Sequence, residues 1–484
     1  MSGRGPEITV PQNAADPAPG VAVASARGRW ILVAVVLGSG IAGIDSAAMN
    51  VALAVIGRDL RADFAELQWT VTGYTLSLAA LVLLSGALGD RYGRRRVFLT
   101  GVAGFAAASV LCAIAPGIDA LIGARTLQGV GGALMLPASL AIIQSSFKTE
   151  DRPRAVGIWS GFTGVATLTA PFAAGWLLGL GTWRWIFVIN LPVAVVLVLV
   201  ALRHVPESRQ AGPARIDWAG SLLAVVALSA VTYVLMVAPG WRSASAALIT
   251  ATAIAVVASA AFVWHERRSR APVLPASVFR SVPFITANLV AFFVYGAFGA
   301  FSLVFTIALE TISGYSPLKA GSTVLPVTVI TLALSGPSGQ LSARLGPRLQ
   351  LSAGPVLCGA AALLAARVSA STGYWTSVIP LECVFGLGIA ATVPPLTSTM
   401  LSSIPADHAG IASGMTNAVT RAASLIWIAA LPPLTGLSGS AYASAAALRG
   451  GYREMCVICA VGLGVAGALA ALTPARRWRQ CARS

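Results

Sequence analysis

Gly86-Ala87-Leu88-Gly89-Asp90-Arg91-Tyr92-Gly93-Arg94-Arg95-Arg96 joins two long apolar runs, near 68–89 and 97–116. Its glycines permit tight turning and close approach, and Asp90 falls where a helix ends and arginines follow. A degenerate copy follows a later apolar run near 320–341: Gly339-Gln340-Leu341-Ser342-Ala343-Arg344-Leu345-Gly346-Pro347-Arg348. Gly, Leu, Arg, Gly and Arg recur at matching positions, while Ala343 answers Asp90. The same punctuation in two places predicts two related helical bundles.

Outward from this loop the chain stays apolar in both directions. Of 484 residues, 56% are apolar and 10% charged, against about 25% charged in a soluble domain. Runs long enough to cross a bilayer as helices lie near 30–56, 68–89, 97–116, 120–147, 155–179, 183–202, 219–238, 245–264, 284–309, 320–341, 349–368, 377–401, 409–434 and 455–472. The expected fold is an all-α polytopic membrane protein of 14 transmembrane helices. Two six-helix pseudo-symmetric bundles would carry two further helices inserted between them.

The expected organisation is a disordered cytoplasmic tail (1–29), an N-terminal bundle (30–203), a linker with two extra helices (204–280), a C-terminal bundle (281–474) and a basic cytoplasmic tail (475–484). With the N-terminus inside, 23 of the 33 Lys and Arg residues fall on the cytoplasmic side and eight outside. That bias places both termini in the cytoplasm. Twelve spans would satisfy the same parity, so fourteen depends on 219–238 and 245–264. The first 29 residues lack the order of charge, apolar core and cleavage site that marks a signal peptide.

The net charge of +16 sits in short loops, with no basic face or stripe, so it orients a membrane protein and calls for no nucleic acid. Cys456-x-x-Cys459 lies in an apolar run without a second pair, which suits core packing. Three histidines and no convergent set of nucleophile, base or metal ligands argue against an enzyme. There is no phosphate-binding G-x-x-x-x-G-K-[ST] loop. Work would draw on an ion gradient, and no cofactor is expected.

Ionisable groups inside apolar runs are the candidate machinery. Asp45 lies about 22 Å along a helix from Trp30 at 1.5 Å per residue, deep in the hydrocarbon layer, where it can alternate between protonated and ionised forms. Asn50, more than one turn further on, would help line the same path. Arg125 costs roughly 2.5–3.5 kcal/mol on insertion scales, and it shares a helical face with Gln128, Gly129 and Gly132. Glu382 and Arg421 lie inside later runs, Glu310 at an external end, and Asn288, Asn417 and Gln340 are milder polar candidates. Tyr295, Trp375 and Trp427 are candidate substrate contacts.

Gly86-x-Leu88-x-Asp90-Arg91-x-Gly93-Arg94-Arg95 resembles the loop signature of the major facilitator superfamily. Arg125-x-x-Gln128-Gly129-x-Gly131-Gly132 is similar to the proton-coupling motif of its antiporters. Asp45 through Asn50-Val51-Ala52-Leu53 and Trp183-Arg184-Trp185-Ile186-Phe187-x-x-Asn190-x-Pro192 resemble its fourteen-helix drug:proton antiporter branch. So do Asp217-Trp218-x-Gly220 and Ala409-Gly410-Ile411-Ala412-Ser413-Gly414. The resemblance implies that Gly86, Asp90, Arg91, Gly93, Arg94 and Arg95 form a gating loop with Asp90 as a charged latch. Asp45, Arg125 and Glu382 are the residues expected to couple protons, and Asn50, Gln128, Gly129, Pro171, Asn417 and Arg421 those expected to line the substrate path. Two departures stand out: Ala166, Ala170 and Ala174 replace expected glycines, and Ala54 an expected proline.

The function so implied is proton-coupled export of a small organic compound, an antibiotic above all, from a bacterium's plasma membrane by alternating access. Uptake of a metabolite by proton symport is the alternative, and a membrane enzyme or receptor the different class. Asp45 and Glu382 against Arg125 and Arg421 do not make a strongly acidic set. The expected substrate is therefore neutral, zwitterionic or anionic, a β-lactam being one example, with protons and the lipid bilayer as the other partners.

Overall fold

The computed structural model describes residues 20–148, 150–209, 217–237, 246–269, 281–402, 409–437 and 444–474. The first half comprises α1 (Ala26–Leu60), α2 (Phe64–Tyr92), α3 (Arg94–Ala113), α4 (Ile118–Ser146), α5 (Arg152–Leu178), α6 (Trp185–Val188) and α7 (Asn190–His204). Then come α8 (Trp218–Val237) and α9 (Ala246–Arg268). The second half comprises α10 (Val282–Thr311), α11 (Pro317–Ser322), α12 (Leu325–Leu345), α13 (Arg348–Ala365), α14 (Ile379–Ser402), α15 (Ala409–Leu434) and α16 (Ala445–Leu472).

Among the described residues, twelve helices are long and apolar enough to cross a membrane, with α6–α7 and α11–α12 each counted once. Counting α2, bent by 52° between Val82 and Leu84, makes thirteen, and 418–434 in α15 is apolar but shorter. The N-terminal residues 1–19, Arg270, the linker 210–216 and the basic tail 475–484 lie outside the described residues.

Two boundaries differ from the hydropathy reading, each for a local reason. Helix α1 begins at Ala26 rather than Trp30 because the Ser25 hydroxyl accepts from Gly28 N at 3.0 Å. Residues just before it are ordered: Val21 N donates to Ser146 O at 2.8 Å, and Val23 N to Asp151 Oδ2 at 2.9 Å. Helix α16 begins at Ala445, well before 455, because Leu448, Gly451, Tyr452 and Met455 are buried at helical spacing while Arg449, Arg453 and Glu454 stay on its exposed face. Cys456 and Cys459 are free and lie among the buried residues of that helix.

The loop repeat has a structural counterpart. Gly93 and Gly346 both take positive φ, 107° and 82°. Arg95 Nη1 donates to Val205 O at 3.1 Å, at the end of α7. Its counterpart Arg348 donates through Nε to Ala471 O at 3.1 Å, near the end of α16.

The halves meet at one end of the bundle and part at the other. At the closed end one apolar cluster takes Ile56, Phe64 and Leu67 from the first half with Phe301, Leu309 and Ala320 from the second. Backbones touch there: a Cβ on Gly175 would lie 2.6 Å from Leu318 Cα, and one on Gly321 2.2 Å from Pro171 O. At the open end, Gly157, Gly161 and Gly164 of α5 and Gly336 and Gly339 of α12 face open space. Between the halves lies a cavity of about 660 Å³.

Glycines set the spacing within the first half. A Cβ on Gly129 would stand 2.3 Å from Tyr74 O, and one on Gly131 2.6 Å from Phe105 N, so α4 lies directly against α2 and α3. Gly131→Ala should cost about 1–3 kcal/mol through overpacking. Gly123→Ala, on the same helix with nothing within 4 Å, should be neutral or gain up to about 1 kcal/mol. Thermal unfolding in detergent separates the two.

Candidate functional site

Asp45 and Arg125 form an ion pair through Oδ2 and Nη1, with side chains 0% and 1% exposed. The pair is enclosed by neutral donors and acceptors from four helices. Arg125 Nη1 also donates to Gln128 Oε1 at 2.6 Å, and its Nε to Thr70 O at 3.3 Å. Gln128 Nε2 and Asn190 Nδ2 both donate to Asp45 Oδ1, at 2.9 and 3.0 Å. The same two amides reach Ser109 Oγ at 2.9 and 3.2 Å. The guanidinium lies over the Tyr74 ring at 4.4 Å and faces Phe187 at 5.8 Å. Every polar atom of Asp45 thus finds a partner, the condition under which a buried charge pair is tolerable.

The Trp183–Pro192 segment serves this network and also the closed end. Trp183 Nε1 donates to Asp59 Oδ2 at 2.7 Å, and Arg184 pairs with the same oxygen at 3.3 Å. Further along, Phe187 faces Arg125 and Asn190 holds Asp45. One short motif therefore pins the end of α1 and orients the carboxylate in its middle.

The loop from Gly86 to Arg96 is held from within the first half. Arg94 Nη2 pairs with Asp90 Oδ1 at 2.9 Å, and its Nη1 donates to Ala141 O at 3.3 Å. The Glu207 carboxylate, just past α7, accepts from Arg95 N at 3.1 Å and Arg96 N at 3.2 Å. These are free N–H groups at the start of α3, where negative charge is favoured. Gly93 is required by its positive φ, and a Cβ there would also press on the Glu207 carboxylate. Arg91 lies over the Tyr92 ring at 5.4 Å, and Gly86 faces open space.

The cavity is lined by Asn50, Tyr74, Pro171, Tyr295, Glu382 and Arg421, among others. Arg421 Nε has no hydrogen-bond partner among the described residues. Asn50, Pro171 and Arg421, expected along the substrate path, face this space, as does Glu382. Gln128 and Gly129, expected with them, stand behind the wall, one in the ion-pair network and the other against the Tyr74 backbone. The Asn417 side chain lies outside the described residues. Trp375 is 77% exposed, whereas Trp427 packs beneath Gly296 and Gly462. A Cβ on Gly40 of α1 would stand 3.7 Å from the Ala166 Cβ, an ordinary contact, so α1 and α5 pack here with room for a methyl group on each side.

Sequence reasoning missed Tyr74, Ser109 and Glu207. Tyr74 is the partition between the two regions: its ring covers Arg125 and also lines the cavity. In the sequence it is one aromatic within an apolar run, and no local signal marks its role.

Removing one charge should leave the other buried without compensation. Asp45→Asn and Arg125→Gln should each destabilise the fold by about 3–5 kcal/mol. The double variant should recover most of that loss because two neutral amides replace the pair. Thermal unfolding of the three variants in detergent checks the expected non-additivity.

The Major Facilitator Superfamily profile matches residues 35–217 and 214–428. A methylenomycin A resistance protein of Streptomyces coelicolor is 33% identical over 404 residues, 83% of this chain and 84% of that one. A tetracenomycin C resistance and export protein of Streptomyces glaucescens is 32% identical over 80% of this chain and 73% of its own. A puromycin resistance protein of Streptomyces alboniger is 33% identical, with 86% and 83% covered. Among solved structures, a peptide transporter POT in complex with sulfate superposes with a TM-score of 0.68 at 15% identity, covering 93% of this chain and 95% of that one. A bacterial homologue of the human lysosomal transporter Spinster, inward-facing and occupied, gives 0.66 at 16% identity over 94% and 98%. The profile match over both halves and the identity of 32–33% to relatives over 80–86% of this chain give one conclusion: this chain belongs to the Major Facilitator Superfamily.

Proposed function

We propose that this protein is a proton-coupled exporter of an antibiotic-like compound, working by alternating access in a bacterial plasma membrane. The observation that carries the reading is a fully buried Asp45–Arg125 pair one side chain behind a large cavity between the two halves. The relatives named for resistance to methylenomycin A, tetracenomycin C and puromycin support the substrate class.

In this reading the chain crosses the membrane fourteen times, with α8 and α9 inserted between two six-helix bundles and both termini in the cytoplasm. The basic residues Arg91, Arg94, Arg95, Arg96, Arg152 and Arg344 stand at the helix ends on the open side, which favours the cytoplasm for that end. The cavity then loads from inside. A proton arriving at Asp45 neutralises the carboxylate, dissolves the ion pair and leaves Arg125 to seek another partner. Tyr74 links that event to the cargo, because whatever displaces its ring from the cavity side also uncovers the guanidinium. Asp90, Arg94 and Glu207 act as the latch that sets the cytoplasmic ends of α2 and α3.

Substrate charge follows from which groups face the cavity. Asp45 is turned away and neutralised, whereas Glu382 and Arg421 both face inward. A zwitterionic or anionic compound would place its negative group at Arg421 and any cationic group toward Glu382, beside the aromatic surface of Tyr295 and Phe298.

Inside-out vesicles energised by a proton gradient test this against a panel with β-lactams, puromycin and cationic dyes. Accumulation of an acidic or zwitterionic antibiotic, abolished by an uncoupler, is the expected result. Arg421→Gln should then weaken that accumulation about tenfold or more, the size of one charged hydrogen bond. Asp45→Asn should abolish coupling, and Arg125→Lys should fail because it loses the planar fork. Movement of cationic dyes alone would sink the substrate class. Metabolite accumulation in right-side-out vesicles would replace export with uptake.

A further inference from the structure

Glu310 lies near the last turn of α10, at the closed end, and is 7% exposed. Neither carboxylate oxygen has a hydrogen-bond partner among the described residues. Its neighbours Ile307, Leu309 and Ile312 belong to the apolar cluster that joins the two halves. Asp45 is as deeply buried, yet both of its oxygens are occupied by a guanidinium and two amides. An ionised carboxylate with no partner in an apolar setting is strongly disfavoured, and the group takes a proton instead.

The charged groups around this end are otherwise engaged or solvated. Asp59 is held by Trp183 and Arg184. Asp63 and Glu66 cap the start of α2 through each other's backbone. Lys319 lies 3.8 Å over the Tyr315 ring, and Arg61 is exposed. Arg58 is exposed near the end of α1, the helix that packs on α10. Separation of α1 from α10 would admit water to Glu310 with that cation nearby, conditions that favour its ionised form.

We propose that Glu310 is a second proton-binding carboxyl, one that takes up a proton as the two halves close at this end and gives it up as they open. The O–H bond forms with a proton from the adjacent water and breaks by returning it to the same side. No proton crosses the membrane at Glu310 itself. It makes closure of this end dependent on the acidity of the compartment it faces, separately from Asp45. Identifying that compartment as the exterior rests on the export reading, under which an acidic exterior favours return to the loading state. The titration does not depend on that reading.

Distance measurement between nitroxide labels at positions 180 and 375, across the closed end, tests the proposal in lipid nanodiscs. The background carries Asp45→Asn with Arg125→Gln, so the central pair cannot titrate. The open fraction should rise between about pH 5 and pH 9, the range a perturbed carboxyl can span. Glu310→Gln, a near-isosteric change, should hold the end closed throughout. Arg58→Ala alters an exposed residue and should move the opening to higher pH, because the carboxylate loses its nearby cation. An opening profile that Glu310→Gln leaves unchanged, or an absence of pH dependence in the parent, overturns the proposal. Failure of vesicle transport with a normal Glu310-dependent profile would instead overturn the export reading alone.

Discussion

A carboxylate and a guanidinium pressed together with almost no contact to water constrain everything around them. Each ion alone would be prohibitively expensive in this setting, and even the pair is tolerable only with its remaining lone pairs and protons satisfied. That requirement brings α1, α3, α4 and α7 to one point, because Asp45, Ser109, Arg125, Gln128 and Asn190 are drawn from all four. Side chains this short reach one another only if the backbones are close. The glycines of α4 supply that closeness, since Gly129 and Gly131 leave no room for a methyl group. The motif Arg125-x-x-Gln128-Gly129-x-Gly131-Gly132 is therefore a single device in which charge, amide and spacing depend on one another.

The two halves differ in their charges despite the repeated loop pattern. The first half keeps its charges satisfied internally, from the Asp45 network to the Glu207 carboxylate at the start of α3. The second half presents Arg421 with its Nε unpartnered and Glu310 with both oxygens unpartnered among the described residues. The asymmetry is visible in the loop repeat itself, where Ala343 stands in place of Asp90 while Gly346 and Arg348 keep their geometric roles. Geometry has been retained in both copies, and electrostatics in one.

Much of this was legible in the chain before any coordinates. Long apolar runs declare helices because a bilayer leaves backbone groups no other partner. An ionisable residue inside such a run advertises itself, which is how Asp45, Arg125, Glu382 and Arg421 came forward. What the pattern could not carry was which side of a helix looks where. Gln128 and Gly129 share a face with Arg125, yet that face turns from the cavity toward α2 and α3. Tyr74 and Ser109 are ordinary residues in apolar segments, and their roles exist only once other helices arrive. Glu207 sits in a linker whose charge looks like any solvated loop until α3 begins beside it. Helix limits failed where capping or a polar face outranked hydropathy, at Ser25 and at Ala445.

The α8–α9 pair has a consequence for the membrane as a medium. Helix α8 packs against α2 of the first half and α15 of the second, with Tyr233 beside Trp69 at 6.3 Å, while α9 packs on α8. On the fourteen-span reading, the pair is fastened to both moving bodies and otherwise wetted by acyl chains, with Val256 and Val257 more than 60% exposed. Any rocking of the halves must then drag this hairpin through the surrounding lipid and change how its apolar length matches the local bilayer. Hydrophobic thickness becomes a mechanical load on the cycle, set by lipid composition rather than by any group in the chain.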